Sequence, residues 1–288
     1  MQPKKSLGQN FLRDKNILDK IIRAADLKAD DFVIEIGPGE GVLTLKLIKH
    51  TSKVIAIEKD ENLAEKLAKN FQFSIFSFQS ISNDPILNFK NKAAVIVGDM
   101  LKANLPLLIE NNFVNSDLFV DSNRFNYKVI ANIPYYITSP IIKLFLETKY
   151  PPKEMILMVQ KEVAERICAS PGQMSILAVS VRYYAKAELL FHVDRKSFWP
   201  APEVDSAVIR IHETRNMKHE TKEDTKNFFR IVKAGFSAKR KMLLNNLSSS
   251  LHLEKKIVEE KLKKVGIDPS RRAQELSVEE WKKLAKIM

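Results

Sequence analysis

Short apolar runs rich in β-branched residues recur along the first 210 residues and predict buried strands. Runs of this kind are typical of parallel strands that are covered on both faces. The predicted strands are Phe32–Ile36, Val54–Ile57, Ala94–Val97, Lys128–Ile130 and Met155–Val159. Helical spacing appears between the first of them, over Val42–Ile48 and Asn62–Lys69, and an opening helix is predicted after its N-cap Asp14. This alternation predicts an α/β fold with a Rossmann-like sheet.

Two later strands, Ala187–Val193 and Ser206–Ile211, are joined by a proline-rich loop too short to contain a crossover helix. We therefore expect them to pair antiparallel. Beyond these strands the apolar positions show helical spacing only, as around Phe228. The pattern predicts two domains: residues 1–211 with a mostly parallel sheet whose last strand is antiparallel, and residues 212–288 with helices alone.

Basic residues outnumber acidic residues and are concentrated toward the C-terminus. The chain has 47 Lys and Arg against 35 Asp and Glu, a formal net charge of +12. Residues 211–288 contain 19 of the basic and 11 of the acidic residues, so more than half of the excess lies in the last quarter. An anionic partner such as nucleic acid is favoured, and the predicted helical domain is its candidate binding region.

The composition argues against several other classes of protein. Cys168 is the single cysteine, so neither an internal disulfide nor a cysteine-rich zinc site is expected. The five histidines lack metal-ligand spacing, and we expect no metal site. No apolar run approaches the ~18 residues of a membrane span, and no signal-peptide core is seen, so we expect a cytoplasmic protein without a membrane partner.

A glycine-rich turn, Gly37-Pro38-Gly39-Glu40-Gly41, follows the first predicted strand and precedes a helix. Glycine lets the backbone approach a ligand closely, and the helix N-terminus presents free amide groups. The spacing is G-x-G-x-G and differs from the G-x-G-x-x-G of dinucleotide sites. A structural turn without any ligand is the alternative interpretation.

Carboxylates follow the next two predicted strands. Glu58 stands where a carboxylate can accept hydrogen bonds from both hydroxyls of a ribose, and Asp99 where one can accept from an adenine amine. Taken singly, Glu58 is typical of a solvated acid and Asp99 of a loop cap. Ligands of such sheets lie outside the carboxyl ends of the strands, so the glycine turn and the two acids together predict a nucleoside pocket.

The segment Asn132-Ile133-Pro134-Tyr135 follows the fourth predicted strand. The amine of adenine is a poor nucleophile because its lone pair is delocalised into the ring. The Asn132 side-chain oxygen and a nearby backbone carbonyl can each accept one amine hydrogen and position the nitrogen to attack a methyl group in line. Pro134 helps to fix the turn, and Tyr135 offers a ring for base stacking, worth about 1–3 kcal/mol. A strand-ending proline turn is the simpler alternative, but it leaves the adjacent pocket unexplained.

Further blocks spread over nearly the whole chain carry a family resemblance. They are Lys5–Leu12, Glu35–Thr44, Glu58, Gly98-Asp99, Asn132–Pro140, Phe198–Val208 and Phe236–Lys241. In this order they resemble the ribosomal RNA small-subunit adenine dimethyltransferases. The resemblance implies a class I methyltransferase sheet and S-adenosylmethionine as methyl donor, with no metal. It also implies dimethylation of N6 in two adjacent adenosines near the 3′ end of small-subunit (16S) ribosomal RNA.

The same resemblance implies roles for individual residues. Cofactor contacts are implied at Asn10, Leu12, Gly37, Glu58, Asp99 and Asn132, and Gly39 of the same turn belongs to the predicted cofactor site. Tyr135 and Phe198 would sandwich the target adenine, which must be extruded from a helix to reach the pocket. With Asn132 and Pro134 they form the predicted catalytic group. The implied partner is the immature small ribosomal subunit, on which we expect the protein to act as a monomer.

Two basic segments are candidates for RNA phosphate contacts. Lys239-Arg240-Lys241 lies beside an aromatic residue in the domain with most of the net charge, and Lys4-Lys5 lies near the N-terminus. The alternatives are a solvated helix face for the first segment and a basic tail for the second.

Three other functions share some of these features. The related adenine methyltransferases of large-subunit RNA share the Asn-Ile-Pro-Tyr chemistry, but Phe198–Pro202 and the basic helical region favour the small-subunit class. A family member used as a nucleic-acid-binding factor would not need the intact Asn132–Tyr135 segment. A nicotinamide oxidoreductase would share the glycine turn and Glu58 alone. Two long connections, after Glu58 and after Asp99, border the predicted pocket.

Overall fold

The chain forms two compact units. The computed structural model describes residues 3–4, 7–51, 53–83, 87, 89, 91–113, 119–121, 124–125, 127–213 and 221–288. Unit 1 comprises Met1–Ala164 and Ala187–Glu213, and unit 2 comprises Glu165–Lys186 and Thr214–Met288. The two units differ from the predicted domain ranges because Glu165–Lys186, which the sequence pattern placed in the first domain, groups with the C-terminal helices.

Unit 1 is built around an eight-stranded sheet. In chain order the strands are β1 (Phe11–Leu12), β2 (Phe32–Ile36), β3 (Lys53–Glu58), β4 (Ser74–Ser77), β5 (Ala93–Val97), β6 (Phe119–Asp121), β7 (Arg124–Phe125), β8 (Tyr127–Asn132), β9 (Glu154–Gln160), β10 (Ala185–Val193), β11 (Phe198–Trp199) and β12 (Ser206–Glu213). The order across the large sheet is β10-β12-β9-β8-β2-β3-β5-β4. Two small ribbons, β1-β11 and β6-β7, lie outside it.

The central strands of the sheet run parallel. β8, β2, β3, β5 and β4 pair parallel with their neighbours, as does β9 with β8, whereas β12 is antiparallel to β9. All five residues of β2 are buried, which fits its unbroken apolar pattern and its position in the middle of the sheet. The predicted fold class, a mostly parallel class I methyltransferase sheet with a terminal antiparallel strand, is confirmed.

Helices connect the strands of unit 1. They are α1 (Lys15–Ala25), α2 (Thr44–His50), α3 (Glu61–Phe71), α4 (Phe78–Asn83), α5 (Leu105–Phe113) and α6 (Thr138–Glu147), and the division between the units falls within α7 (Lys161–Cys168). The Asp14 carboxylate caps α1, accepting from the Asn16 N–H at 2.9 Å, as predicted. The buried face of α1 contains Ile17, Leu18 and Ile21, which pack in the core beside the sheet.

The ribbon of β1 and β11 brings the N-terminal segment next to the loop before β12. Phe11 is the partner of Trp199, and Leu12 is the partner of Phe198. Leu12 and Phe198 are each 5% exposed and belong to the same core cluster. The ribbon therefore fixes the position of the chain around residue 10, which borders the candidate active site described below.

Unit 2 is helical, as predicted for the C-terminal part of the chain. Its helices are α8 (Ile176–Tyr184), α9 (Lys222–Gly235), α10 (Leu243–Leu251), α11 (Lys255–Lys264) and α12 (Val278–Ala285). The indole of Trp281 is fully buried in the unit. A Cβ at Gly235 would meet a ring carbon of Trp281 at 2.3 Å, so glycine is needed where α9 crosses this side chain. Tyr183 packs against Phe228 with ring centroids 4.3 Å apart, which agrees with a role in core packing.

Candidate active site

A cavity lies at the carboxyl ends of four neighbouring parallel strands. Ile36 at the end of β2 is level with Ile57 of β3 on one side and Ala131 of β8 on the other. Glu58 at the end of β3 is in turn level with Val97 of β5. The cavity is lined by residues that follow these strand ends, together with part of the N-terminal segment: Leu7–Leu12, Gly37–Glu40, Glu58, Lys59, Gly98–Met100 and Asn132–Ile137. The predicted pocket is thus present where the parallel-sheet rule places it.

The glycine turn closes one side of the cavity. Gly37 and Gly39 have φ angles of +67° and +55°, in the left-handed region that favours glycine. A Cβ at Gly39 would approach the Phe11 ring to 3.0 Å, so a side chain there would push against the N-terminal segment. At Gly41, φ is +82° and a Cβ would lie 2.2 Å from Leu67, inside its van der Waals radius. The turn therefore brings bare backbone to the cavity wall.

Glu58 connects the glycine turn to the end of β3. Its Oε2 accepts from the Gly39 N–H at 3.1 Å, and its Oε1 accepts from the Asp60 N–H at 2.8 Å. The side chain is 6% exposed, and burial raises its pKa above the usual value although the two backbone hydrogen bonds oppose the shift. Each carboxylate oxygen has more than one lone pair, so Glu58 can still accept from a ligand hydroxyl in the cavity.

Asp99 stands opposite as a second acid of the cavity wall. Its Oδ2 pairs with the Lys59 ammonium at 2.9 Å, and its Oδ1 accepts from the Leu101 N–H at 3.0 Å. Partial burial raises the pKa of Asp99, but the hydrogen bonds from Lys59 and the Leu101 backbone outweigh it and the net pKa is lowered. The carboxylate is therefore held charged and oriented at the end of β5.

Glu35 is a cavity-lining acid that the sequence pattern did not single out. It lies within β2, is 2% exposed, and accepts from the Thr44 hydroxyl at 2.6 Å. Burial raises its pKa to about 8, with a smaller contribution from the nearby Glu58 carboxylate. At neutral pH Glu35 is mostly protonated. Its place in the middle of an apolar strand was the available signal, because an acid there is buried by its neighbours.

Asn132 ends β8 at the floor of the cavity. Its Nδ2 donates to the Asn10 carbonyl at 3.2 Å, which orients the side-chain amide. With the amide nitrogen so engaged, Oδ1 is the acceptor available to a ligand. The Asn10 side chain in turn donates to the Gly8 carbonyl at 3.3 Å. The N-terminal segment and β8 are thereby joined beside the cavity, as the resemblance implied for Asn10, Leu12 and Asn132.

Pro134 and Tyr135 form the turn after β8. Pro134 has φ −53° and its carbonyl accepts from the Ile137 N–H at 3.1 Å. The Tyr135 hydroxyl lies 2.7 Å from Oγ of Ser206 on β12. Burial raises the pKa of Tyr135, so the phenol stays protonated at neutral pH. Both residues line the cavity, and the hydrogen bond to Ser206 holds the tyrosine ring in place.

Phe198 occupies a different position from the other predicted catalytic residues. Its ring lies in the core cluster with Leu12 and does not belong to the residues lining the cavity. Tyr136, which the sequence analysis did not select, lines the cavity with 56% of its surface exposed. The described residues therefore bring Tyr135, and not the predicted pair of Tyr135 and Phe198, to the cavity wall.

The two predicted RNA-contact segments differ in their surroundings. The Lys4 ammonium forms an ion pair with Asp60 at 2.9 Å, whereas Lys5 lies outside the described residues. Lys239, Arg240 and Lys241 are exposed in the turn between α9 and α10. Within the described part of the chain, none of these three side chains forms an ion pair, so their charges face solvent.

Two searches of the described residues bear on other kinds of site. Among them, no group of three or more His, Cys, Asp or Glu side chains is arranged to hold a metal ion. None of the helices within the same residues has both the length and the apolar character needed to cross a membrane.

Sequence comparisons identify relatives over the whole chain. The family model described as ribosomal RNA adenine dimethylase matches residues 1–288. A protein of Dehalococcoides mccartyi named ribosomal RNA small subunit methyltransferase A is 41% identical over 286 residues, covering 99% of this chain and 88% of its own length. A protein of the same name from Geobacillus thermodenitrificans is 41% identical over 287 residues, covering 98% and 89%.

Solved structures show the same architecture. A dimethyladenosine transferase from Plasmodium falciparum is 27% identical with a TM-score of 0.70, over 95% of both chains. The 23S rRNA methyltransferase ErmE is 26% identical with a TM-score of 0.67, covering 96% of this chain and 98% of its own. The match of the family model to every residue, with relatives above 40% identity over nearly their full length, establishes that this chain belongs to the ribosomal RNA adenine dimethylase family.

Proposed function

We propose that this protein transfers methyl groups from S-adenosylmethionine to N6 of two adjacent adenosines near the 3′ end of small-subunit ribosomal RNA. The observation that carries the proposal is the position of Asn132, at the end of β8 on the cavity wall, with its amide nitrogen bound to the Asn10 carbonyl. This arrangement leaves a side-chain oxygen to accept an amine hydrogen of adenine. Membership of the adenine dimethylase family supports the reaction class.

The choice of the small subunit rests on the relatives. Proteins named for the small-subunit reaction are 41% identical over nearly the full length. The large-subunit enzyme ErmE is 26% identical. A similar fold therefore supports both substrates, whereas the sequence supports the small subunit.

The cavity residues fit the proposed methyl donor. The Glu58 carboxylate suits the hydroxyls of its ribose, and Asp99 suits the amine of its adenine. The exposed backbone of Gly37 and Gly39 gives close approach to the remainder of the molecule. When bound, S-adenosylmethionine supplies a methyl group activated by its own sulfonium charge, which is why no metal is needed.

The residues of the Asn132–Tyr135 turn act on the acceptor. Asn132 Oδ1 accepts one hydrogen of the adenine amine, and the Pro134 carbonyl, oriented by the Ile137 N–H at 3.1 Å, has a second lone pair to accept the other. Holding both hydrogens orients the nitrogen toward the methyl group and reduces the entropy lost in reaching the transition state. Tyr135, fixed by Ser206, provides a face for the extruded base.

Phosphate contacts would come from unit 2. Residues 211–288 hold most of the net positive charge, and Lys239, Arg240 and Lys241 are exposed in one turn. We assign RNA binding to this turn. Lys4 has a weaker claim because its ammonium pairs with Asp60. The protein acts as a monomer on immature small subunits in the cytoplasm, and sedimentation with and without subunits tests this stoichiometry.

Mapping of methylated adenosines tests the proposal. Immature small and large ribosomal subunits are incubated with the protein and labelled S-adenosylmethionine, and the modified positions are mapped. We expect two adjacent dimethyladenosines near the 3′ end of the small-subunit RNA. Label in large-subunit RNA alone would assign the protein to the other substrate class, and no label in either would favour a binding factor. Tight binding of a nicotinamide dinucleotide in place of the donor would indicate an oxidoreductase.

A further inference from the structure

Trp199 places a large aromatic ring at the surface of unit 1. Its exposed fraction is 43%, whereas the preceding Phe198 is 5% exposed, because side chains of a strand alternate between its two faces. The guanidinium of Arg13 lies over the indole, 4.7 Å from the ring centroid. An exposed indole beside a guanidinium is a surface on which bases of single-stranded nucleic acid stack. We call this pair the Trp199–Arg13 platform.

The backbone of the platform is held by hydrogen bonds on both strands. Trp199 pairs with Phe11 across the β1-β11 ribbon. The Arg13 N–H donates to the Ser197 carbonyl at 2.9 Å, and the Ser197 hydroxyl donates to the Asp14 carboxylate at 3.2 Å. Because the backbone is already ordered, binding a base there requires little loss of conformational freedom.

The platform lies close to the predicted acceptor site. Phe11, the strand partner of Trp199, lines the cavity, and partners in an antiparallel pair have Cα atoms about 4.5–5.5 Å apart. The carbonyl of the preceding Asn10 accepts from the side chain of Asn132. Two short steps along the structure therefore connect the exposed indole to the residue proposed to hold the target amine.

The charges around the indole favour an RNA strand over an apolar peptide. The side chains of Arg13, Arg195 and Lys196 are exposed. Arg13 also lies 3.5 Å from Glu40, which lines the cavity, so one cation faces both the platform and the rim. Cations beside an exposed aromatic ring combine phosphate attraction with base stacking, the two interactions that bind single-stranded RNA.

We propose that the Trp199–Arg13 platform binds the base of the nucleotide that immediately flanks the adenosine in the cavity. The inference rests on the proposed function, because it requires an RNA substrate with an extruded adenosine. Extrusion leaves the neighbouring base with one uncovered face, and the exposed indole covers that face. Trp199 is then a substrate-binding residue that positions the strand without touching the reacting atoms.

Tryptophan fluorescence tests the contact in the wild-type protein. The chain has two tryptophans, and Trp281 is fully buried in unit 2, so a ligand-induced change reports on Trp199. The probe is an RNA hairpin with two adjacent adenosines in its loop, together with two versions in which the 5′ or the 3′ flanking nucleotide is abasic. We expect the intact hairpin to quench the fluorescence, one abasic version to quench less, and Trp199→Phe to lose the response. An unchanged signal, or equal quenching by all three RNAs, overturns the proposal.

Kinetics on small ribosomal subunits provide the second test. Trp199→Leu should raise the KM for subunits roughly 5- to 100-fold with little change in kcat, because stacking is lost but the cavity is intact. Trp199→Phe, which keeps an aromatic face, should recover most of the affinity. Val204→Ala removes another exposed side chain from the same loop, 45% exposed, and should leave KM unchanged. An unchanged KM in Trp199→Leu, or a KM equally raised in Val204→Ala, contradicts the assignment.

Two controls separate this inference from the proposed function. Donor affinity and melting temperature of Trp199→Leu should equal those of the wild type, which shows that unit 1 is folded. Wild-type methyl transfer to small subunits is measured in parallel. Absence of wild-type transfer refutes the proposed function, whereas normal transfer that is insensitive to Trp199→Leu refutes the platform alone.

Discussion

Replacing Glu35 with glutamine should remove a pH-dependent loss of stability. The carboxyl is 2% exposed, and burial raises its pKa from 4.5 to about 8, against the opposing hydrogen bond from Thr44. An acid whose pKa is higher in the folded protein binds its proton more tightly there than in the unfolded chain. The free energy of unfolding contributed by Glu35 is therefore fully present below about pH 4.5 and is lost as the pH rises toward 8.

The magnitude follows from the size of the pKa shift. One pKa unit corresponds to about 1.4 kcal/mol, so raising the pH from 5 to 8 costs up to ~4 kcal/mol of folding free energy through this one group. Glutamine carries no titrating proton, and its side-chain oxygen can still accept from the Thr44 hydroxyl. Glu35→Gln should therefore match the wild type near pH 5 and be more stable by up to ~4 kcal/mol near pH 8.

Urea unfolding followed by circular dichroism between pH 5 and pH 8 measures this difference directly. The comparison includes Glu65→Gln, which changes an exposed glutamate on α3 and should leave the pH dependence of the wild type intact. The gap between Glu35→Gln and the wild type should widen steadily with pH. Parallel curves for these two proteins would refute the conclusion that Glu35 is protonated in the folded state.

Three further predictions concern the cavity and the basic turn. Gly41→Ala should destabilise the protein by at least about 1 kcal/mol in thermal unfolding, since φ is +82° and the new Cβ meets a leucine; an unchanged melting temperature would contradict this. Glu58→Gln should weaken donor binding roughly tenfold or more by calorimetry, because charged acceptors bind more strongly; equal affinity would exclude Glu58 as a ligand. Changing Lys239, Arg240 and Lys241 to glutamine should flatten the dependence of log K for RNA on log salt by about 0.7–0.9 per lost phosphate contact, and an unaltered slope would remove the turn from the RNA interface.

The central strands were predictable because their burial leaves a simple pattern. The prediction Phe32–Ile36 coincides with β2, and the prediction Ala94–Val97 differs from β5 by one residue. The end of β8 was predicted at Ile130, whereas the strand continues to Asn132. Ladder hydrogen bonds decide where a strand ends, and an apolar pattern does not record them.

Edge elements were less predictable than central ones. β4 (Ser74–Ser77) pairs with β5 on one side only, and its residues are partly or fully exposed. An edge strand buries too little to produce a continuous apolar run, so the segment appeared to be part of a long connection. Glu165–Lys186 likewise carries no local signal of the unit to which it belongs.

Polar groups buried by distant residues were not predictable. Lys128 stands at the start of an apolar run, yet its ammonium is buried, pairs with Asp31 at 3.0 Å and donates to the Ala25 carbonyl at 2.7 Å. These partners are about a hundred residues away in sequence and meet only in the folded sheet. The same holds for the protonated state of Glu35. By contrast, Glu58, Asp99 and Asn132 follow parallel strands, and that position alone predicted that they would meet.

Methyl transfer by Asn132→Ala tests the central claim most directly. Immature small subunits and saturating labelled donor are incubated with the wild type or the variant, and donor affinity is measured in parallel. The account predicts that the wild type dimethylates two adjacent adenosines and that the variant, with donor bound, transfers methyl groups roughly 100-fold more slowly because the amine is no longer oriented. Transfer by Asn132→Ala at the wild-type rate would contradict it.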